Sequence, residues 1–334
     1  MSHDRLTLAL ETGAAVLPET GRIAVIAPAE GADLSALPRD RVQIVQGFKP
    51  DYDAWAGQGF DCVTDLVGDY AAAVLFVPRA KAEARQWLAR AVAAVQGGPV
   101  IVDGQKTDGI DSLFKDCRKR ATCSAALSKA HGKLFVMTGA AVEDFADWSA
   151  PQDKMPEGFV TAPGVFSADA VDRGSALLAA ALPAKIKGRV ADLGAGWGFL
   201  ATQILDRPGI TELHLIEADH AALACARENI TDPRARFHWA DVTRFAPVAK
   251  FDLIVSNPPF HTSRAADPAL GVAFLTAAAR MLTPSGQLWI VANRHLPYER
   301  SLATLFRTVV EETGDNSFKI LRASHPVAAP RPRR

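Results

Sequence analysis

Two short runs in this chain carry residue types that can do chemistry. In Asn257-Pro258-Pro259-Phe260, two prolines fix φ, bar helix continuation and restrict the residue before each of them. The Asn257 side chain and the Pro258 carbonyl are thereby held as two acceptors in one stiff corner. An amino group conjugated to a base ring is a poor nucleophile because its lone pair is delocalised. Two acceptors gripping its N–H bonds from opposite sides would orient the nitrogen and aim that lone pair at an electrophile. Phe260 offers a face for the base to stack on, worth about 1–3 kcal/mol, and Pro259 stiffens the same wall. The plainer alternative is a rigid turn with Phe260 packed inside. The second run is Asp192-Leu193-Gly194-Ala195-Gly196-Trp197-Gly198, which leaves an apolar strand and enters a helical segment. Its glycines sit where a backbone must turn sharply and approach a ligand, which predicts a nucleoside-like cofactor. Phe199 stands where the dinucleotide fingerprint needs its third glycine, so NAD does not fit.

Two acids follow the loop in order. Glu217 ends the next strand, where a carboxylate can accept from both hydroxyls of a ribose. Asp241, after the strand beyond, reaches the same sheet edge and suits either an adenine amino group or a turn. His261 and Arg264, with Asn293, Arg294 and His295, lie just past strand ends and are candidates for substrate contact. No proton-transfer role is assigned to either histidine, since a lone histidine is more often structural.

These groups need a sheet to present them. From Arg189 onward, apolar runs at Arg189 to Leu193, Glu212 to Glu217, Arg236 to Trp239, Phe251 to Ser256 and Gln287 to Asn293 read as buried parallel strands. Phe199 to Asp206, His220 to Asn229 and Val272 to Leu282 have the helical period between them. The first half repeats that rhythm, with strands at Arg22 to Ala27, Val42 to Gln46, Ala72 to Val77 and Pro99 to Val102 and a helix from Ala80 to Val95. The expected fold is α/β with two doubly wound, Rossmann-like domains. A stretch rich in glycine, proline and polar residues from Gly139 to Gly164 separates them, and the division is placed at residues 1–150 and 151–334. Only the second domain has the glycine loop and the Asn before proline, so the first reads as a degenerate copy.

Composition narrows the class. The 334 residues are 49% hydrophobic and 22% charged, with 37 Lys plus Arg against 37 Asp plus Glu. That balance argues against a polybasic nucleic-acid coat and leaves room only for local patches, such as Lys115, Arg118, Lys119 and Arg120 or the Arg331, Arg333 and Arg334 tail. The start of the chain lacks the pattern of a secretory signal, and no apolar run approaches the roughly 18 residues of a membrane span. The four cysteines show no zinc spacing. The expectation is a cytoplasmic monomer that uses no metal and binds no membrane.

The run DLGAGWG, Glu217, Asp241 and NPPF, in this order, resemble a class I S-adenosylmethionine-dependent methyltransferase that modifies amino groups. More narrowly, PGVFS at Pro163 to Ser167, NPPFH at Asn257 to His261 and the N-terminal GPVIVDGQKTDGIDSL resemble the bacterial ribosomal RNA guanine-N2 methyltransferases of the small-subunit type and their large-subunit relatives. The resemblance spans roughly Ala71 to Ala323. It implies that Asp192, Gly194, Gly196, Gly198, Glu217, Asp241 and Asn257 hold S-adenosylmethionine. It further implies that Asn257, Pro258 and Phe260 hold the guanine, with Phe166, Pro259, His261 and Arg264 at the substrate. Its implied partner is ribosomal RNA or the small ribosomal subunit, and its implied N-terminal domain is methyltransferase-like without a working site. Because NPPF is shared with enzymes acting on adenine, cytosine and glutamine amides, an adenine or protein-glutamine N-methyltransferase is the enzymatic alternative. A non-catalytic RNA-binding assembly factor is the alternative of another class.

Overall fold

The computed structural model describes residues 4–149, 154–259 and 268–327. The chain divides into two units, Met1–Asp153 and Lys154–Arg334. The first unit runs α1 (Asp4–Glu11), β1 (Ile23–Ile26), β2 (Val42–Val45), α2 (Lys49–Gly57), β3 (Asp61–Val63), β4 (Ala72–Phe76), α3 (Lys81–Val95), β5 (Val100–Gln105), α4 (Ile110–Cys117), β6 (Thr122–Cys123), β7 (Leu127–Lys129) and β8 (Gly132–Thr138). Its sheet is ordered β3-β2-β1-β4-β5-β8-β6, with the first five strands parallel, β8 antiparallel to β5, and β7 paired to β8. Every residue of β1 and β2 is buried, as strands covered on both faces require. Helix α3 covers one face with Ala84, Leu88, Ala91, Val92 and Val95, spaced by three and four. Each fully buried Leu or Val there contributes about 1.5–3 kcal/mol.

The second unit runs α5 (Arg173–Ala181), β9 (Gly188–Leu193), α6 (Phe199–Leu205), β10 (Ile210–Glu217), α7 (His220–Asn229), β11 (Ala235–Trp239), β12 (Phe251–Ser256), α8 (Pro268–Met281), β13 (Leu282–Asn293), α9 (Tyr298–Leu305), β14 (Phe306–Gly314) and β15 (Phe318–Pro326). Its sheet is ordered β11-β10-β9-β12-β13-β15-β14, and β15 is antiparallel to both β13 and β14. Apart from β7, which has no counterpart here, this is the order of the first unit, so two doubly wound α/β domains are present. The sequence pattern was legible in the parallel strands with buried apolar runs, and missed the parallel edge strand β3, none of whose residues is fully buried.

The sheet's two faces bury separate layers. Val190, Leu215 and Val255 pack under α5, α6 and α7, whereas Ala191, Leu193 and Ile290 pack under α8 and α9. Alternation therefore directs Asp192 toward the α5–α7 layer, between strand neighbours Leu215 and Val255. One strand differs from expectation. β13 begins at Leu282, which pairs with Phe251, and the register then jumps to Gln287 opposite Leu253. The turn signal Thr283 to Gly286 thus makes a bulge inside the strand, and does not mark its start.

In the first unit, β1 runs into Ala27-Pro28-Ala29-Glu30-Gly31 and β4 into Val77-Pro78, so a valine stands where the second unit has Asn257. Arg5 of α1 occupies this edge: its Nε donates to Asp103 Oδ1 at 2.6 Å, with both side chains 4% exposed. Hydrogen bonding and charge at this edge are spent on a structural ion pair.

Candidate active site

β9 and β12 lie side by side, and their connections leave in opposite directions, β9 toward β10 and β12 toward β13. A doubly wound sheet opens a crevice at such a switch point. Ser256 pairs with Leu193 and its Oγ donates to the Leu193 carbonyl at 2.7 Å, so the glycine loop and the Asn-Pro corner start from one level. A small cleft lies between them, lined among others by Phe166, Asp172, Ser175, Gly194, Gly196 and Asn257.

Two glycines have separate reasons to be glycine. Gly198 has φ +94° and a Cβ there would stand 2.8 Å from Ile230 Cδ1, so it permits loop and α7 to touch. Gly196 has φ +56°, and a Cβ would meet nothing within 4 Å. Its open side belongs to the cleft. The Gly196 N–H donates to Glu217 Oε2 at 2.7 Å, while Glu217 Oε1 accepts from the Asp219 N–H at 2.8 Å. Glu217 thus braces the loop. Burial raises its pKa, and the two amides offset part of that rise. Two backbone bonds leave acceptor capacity on a carboxylate that can carry about four.

Asp192 lies directly beneath. It is 0% exposed, and no hydrogen bond of good geometry reaches either carboxyl oxygen. Burial first, then the neighbouring Glu217 charge, push its pKa up to about 8, the nearby Ala201 N–H offsetting only a little. A buried carboxyl without a partner is costly and sits most comfortably when neutral or beside a cation.

The Asn257 amide is fixed by residues that sequence reasoning missed. Its Nδ2 donates to Asp172 Oδ2 at 2.9 Å and to Ser175 Oγ at 3.0 Å. Asp172 is also the N-cap of α5, its Oδ2 accepting from the Ser175 N–H at 2.7 Å. The signal was present as an Asp directly before Arg173-Gly174-Ser175 and an apolar run, the pattern of a capped helix start.

Phe166 is 60% exposed at the cleft rim. Its carbonyl accepts from Trp197 Nε1 at 3.0 Å, and the next residue, Ser167, has φ +53°. Asn229 ties this segment down, bonding both the N–H and the carbonyl of Val160 and donating to the Trp197 carbonyl.

The structure therefore brings Phe166, Gly194, Gly196 and Asn257 to one cleft, with Asp192 below and Glu217 behind the loop. Gly198 closes the loop against α7. Pro258 is buried and Pro259 half-buried as the chain leaves β12. Asp241 is not among the cleft-lining residues: its Oδ1 accepts from the Thr243 N–H and Oγ1, so it makes a turn. Phe260, His261 and Arg264 lie outside the described residues. Arg294 bonds Glu311 and the Asp315 carbonyl, and Arg120 is bidentate to Asp147, so two of the candidate cations serve structural pairs. Among the described residues no cluster of three His, Cys, Asp or Glu side chains has the arrangement of a metal site, and no helix is long and apolar enough to cross a membrane.

A family model, the methyltransferase small domain, matches residues 157–322. The chain is 30% identical over 319 residues to the ribosomal RNA small subunit methyltransferase C of Idiomarina loihiensis, covering 91% of this chain and 94% of that one. It is 31% identical over 263 residues to the protein of that name from Shewanella loihica, 75% of each. A ribosomal RNA large subunit methyltransferase G of Streptomyces avermitilis is 36% identical over 165 residues, 48% of this chain and 43% of that protein. Among solved structures, a T. thermophilus 16S rRNA N2 methyltransferase in complex with AdoMet and guanosine superposes with a TM-score of 0.77 over 93% of this chain and 90% of that one. At 24% identity, that match shows a shared fold.

Proposed function

The chain belongs to the ribosomal RNA small subunit methyltransferase C family, and from that premise we propose that it methylates the exocyclic 2-amino group of a guanosine in small-subunit ribosomal RNA, using S-adenosylmethionine. The observation that carries the reading is the Asn257 side chain, whose two N–H bonds are consumed inside the protein, leaving only Oδ1 to meet a substrate at the cleft beside the glycine loop. An acceptor at that place suits an N–H and rejects a carbonyl.

The residues fit the cofactor. Asp192 is an orphaned buried carboxyl suited to a cationic ligand, Gly196 leaves its Cβ side open, and Glu217 keeps acceptor capacity for a ribose. When bound, S-adenosylmethionine supplies a methyl group on a positively charged sulfur, which keeps the C–S electron pair as the methyl passes to nitrogen. Gly194 and Gly196 give the ligand close approach to backbone, Glu217 would hold its ribose, and Asp241 would reach the adenine edge from its turn. Asn257 Oδ1, with the Pro258 carbonyl, grips the amino hydrogens and aligns the nitrogen lone pair. As positive charge grows on nitrogen, these same acceptors stabilise it, and the surplus proton leaves to water after transfer. Phe166, and Phe260 beyond the described residues, offer faces for a base taken out of its stack, a step that costs a few kcal/mol in a paired RNA.

The test is nucleoside mass spectrometry of ribosomal RNA from a strain lacking the gene, together with transfer assays on small subunits and on deproteinised RNA. One N2-methylguanosine is expected to vanish from small-subunit RNA and to return with the wild-type gene. Asn257→Ala is expected to lower transfer by ~100-fold with cofactor binding nearly intact. Loss of N6-methyladenosine, of a large-subunit guanosine mark, or of a methylated glutamine instead would replace this reading.

A further inference from the structure

We propose that Asp172 and Ser175, on the first turn of α5, are positioning residues that make Asn257 an obligate hydrogen-bond acceptor and so select an amino group for methylation. The inference rests on the function proposed above and adds what enforces it. A primary amide has one acceptor end and one donor end of nearly equal size, and a half-turn about its terminal bond exchanges them. Nothing in Asn-Pro-Pro by itself decides which end faces the cleft. The first turn of α5 does: Asn257 Nδ2 has two hydrogens, and Asp172 Oδ2 and Ser175 Oγ take one each. Turned over, Oδ1 would face the Asp172 carboxylate, two acceptors without a proton between them.

The cradle is itself rigid. Asp172 Oδ2 simultaneously accepts from the Ser175 N–H, which caps the helix, and Ser175 is 8% exposed. Helix α5 is anchored through Leu178 and Ala179 in the core layer above β9. Arg173, the residue between cap and cradle, extends to Asp315 at 2.6 Å and is 66% exposed, so it makes no pair with Asp172. A carboxylate on Nδ2 also polarises the amide toward its oxygen. Oδ1 therefore gains negative character on the side where a methylated nitrogen gains positive charge, an effect greater in the transition state than in the ground state.

The test uses the full chain and Asp172→Ser, which retains an oxygen able to cap Ser175 but is too short to reach Asn257. Expected is a fall in kcat of roughly 10- to 100-fold, with KM for both substrates and the melting temperature close to wild type. Asp172→Asn, which keeps an oxygen at the same place without its charge, is expected to recover most of that loss. In the Asn257→Ala background, Asp172→Ser is expected to cause no further fall. Full activity of Asp172→Ser, or an equal further loss in that background, overturns the proposal. A readout independent of turnover is the exchange rate of the Asn257 side-chain amide hydrogens by NMR: slow in wild type, accelerated in Asp172→Ser and in Ser175→Ala. Unchanged exchange also overturns it. Identifying the methylated nucleoside made by wild type separates the two ideas: a product other than N2-methylguanosine rejects the substrate, while the coupling of residues 172 and 257 is read as before.

Discussion

Replacing Asp192 by Asn removes a proton site while preserving shape, and its effect on stability can be worked out from the structure. The carboxyl is 0% exposed and its pKa is pushed from 3.8 to about 8. Between those values the folded protein keeps a proton that the unfolded chain has released. Folding stability from this group is therefore full below pH 4 and declines as pH rises toward 8, by at most about 1.4 kcal/mol per pH unit. From pH 5 to pH 7 that is on the order of 3 kcal/mol, or several degrees in melting temperature for a domain of this size. Asp192→Asn is neutral at every pH. The ligand-free variant is expected to melt higher than wild type at pH 7 and to show a flatter profile between pH 5 and 8 by scanning calorimetry. A residual slope remains because burial also raises Glu217 and Asp219. A variant whose profile parallels wild type, or which is less stable at pH 7, would refute the assignment of a proton to this buried carboxyl.

Gly198→Ala places a side chain at φ +94° and 2.8 Å from Ile230 Cδ1, so a loss of about 2–4 kcal/mol in urea unfolding is expected. Ile230→Val removes that methyl and should restore part of the loss; no restoration would mean that backbone strain alone is responsible. In the first unit, Arg5→Met leaves Asp103 buried without its cation and is expected to cost about 3–5 kcal/mol. Asp103→Leu added to it should recover stability, and the double variant is checked by the same denaturation series.

The proposed site is assembled from two kinds of information. The glycine loop and the Asn-Pro corner are local: φ restrictions of glycine and proline act on the residues that carry them. The same holds for β9 to β12, whose apolar runs at 188–193, 210–217, 235–239 and 251–256 follow the sequence pattern within a residue or two. Elements governed by distant partners were not legible. β15 forms by antiparallel pairing to β13 and β14 by antiparallel pairing to β15, and six of the nine residues of β14 are exposed, so no apolar run announces it. The bulge in β13 arises because Leu282 and Gln287 both find partners on β12, which no turn propensity contains.

Sequence by itself determined the α/β class, the alternation of strands and helices from β9 to β13, and the presence of a glycine turn and of an amide stiffened by two prolines. Periodicity and backbone restriction are properties of adjacent residues, and they survive reading one residue at a time. Only the tertiary structure decided what those groups can do. It set Asp172 and Ser175, more than eighty positions upstream, against Asn257 Nδ2. It left Asp192 without a partner and directed Glu217 to the Gly196 amide. Which end of an amide faces a cleft, and whether a carboxyl keeps its proton, depend on neighbours brought together in space, and chain order does not encode those neighbours locally.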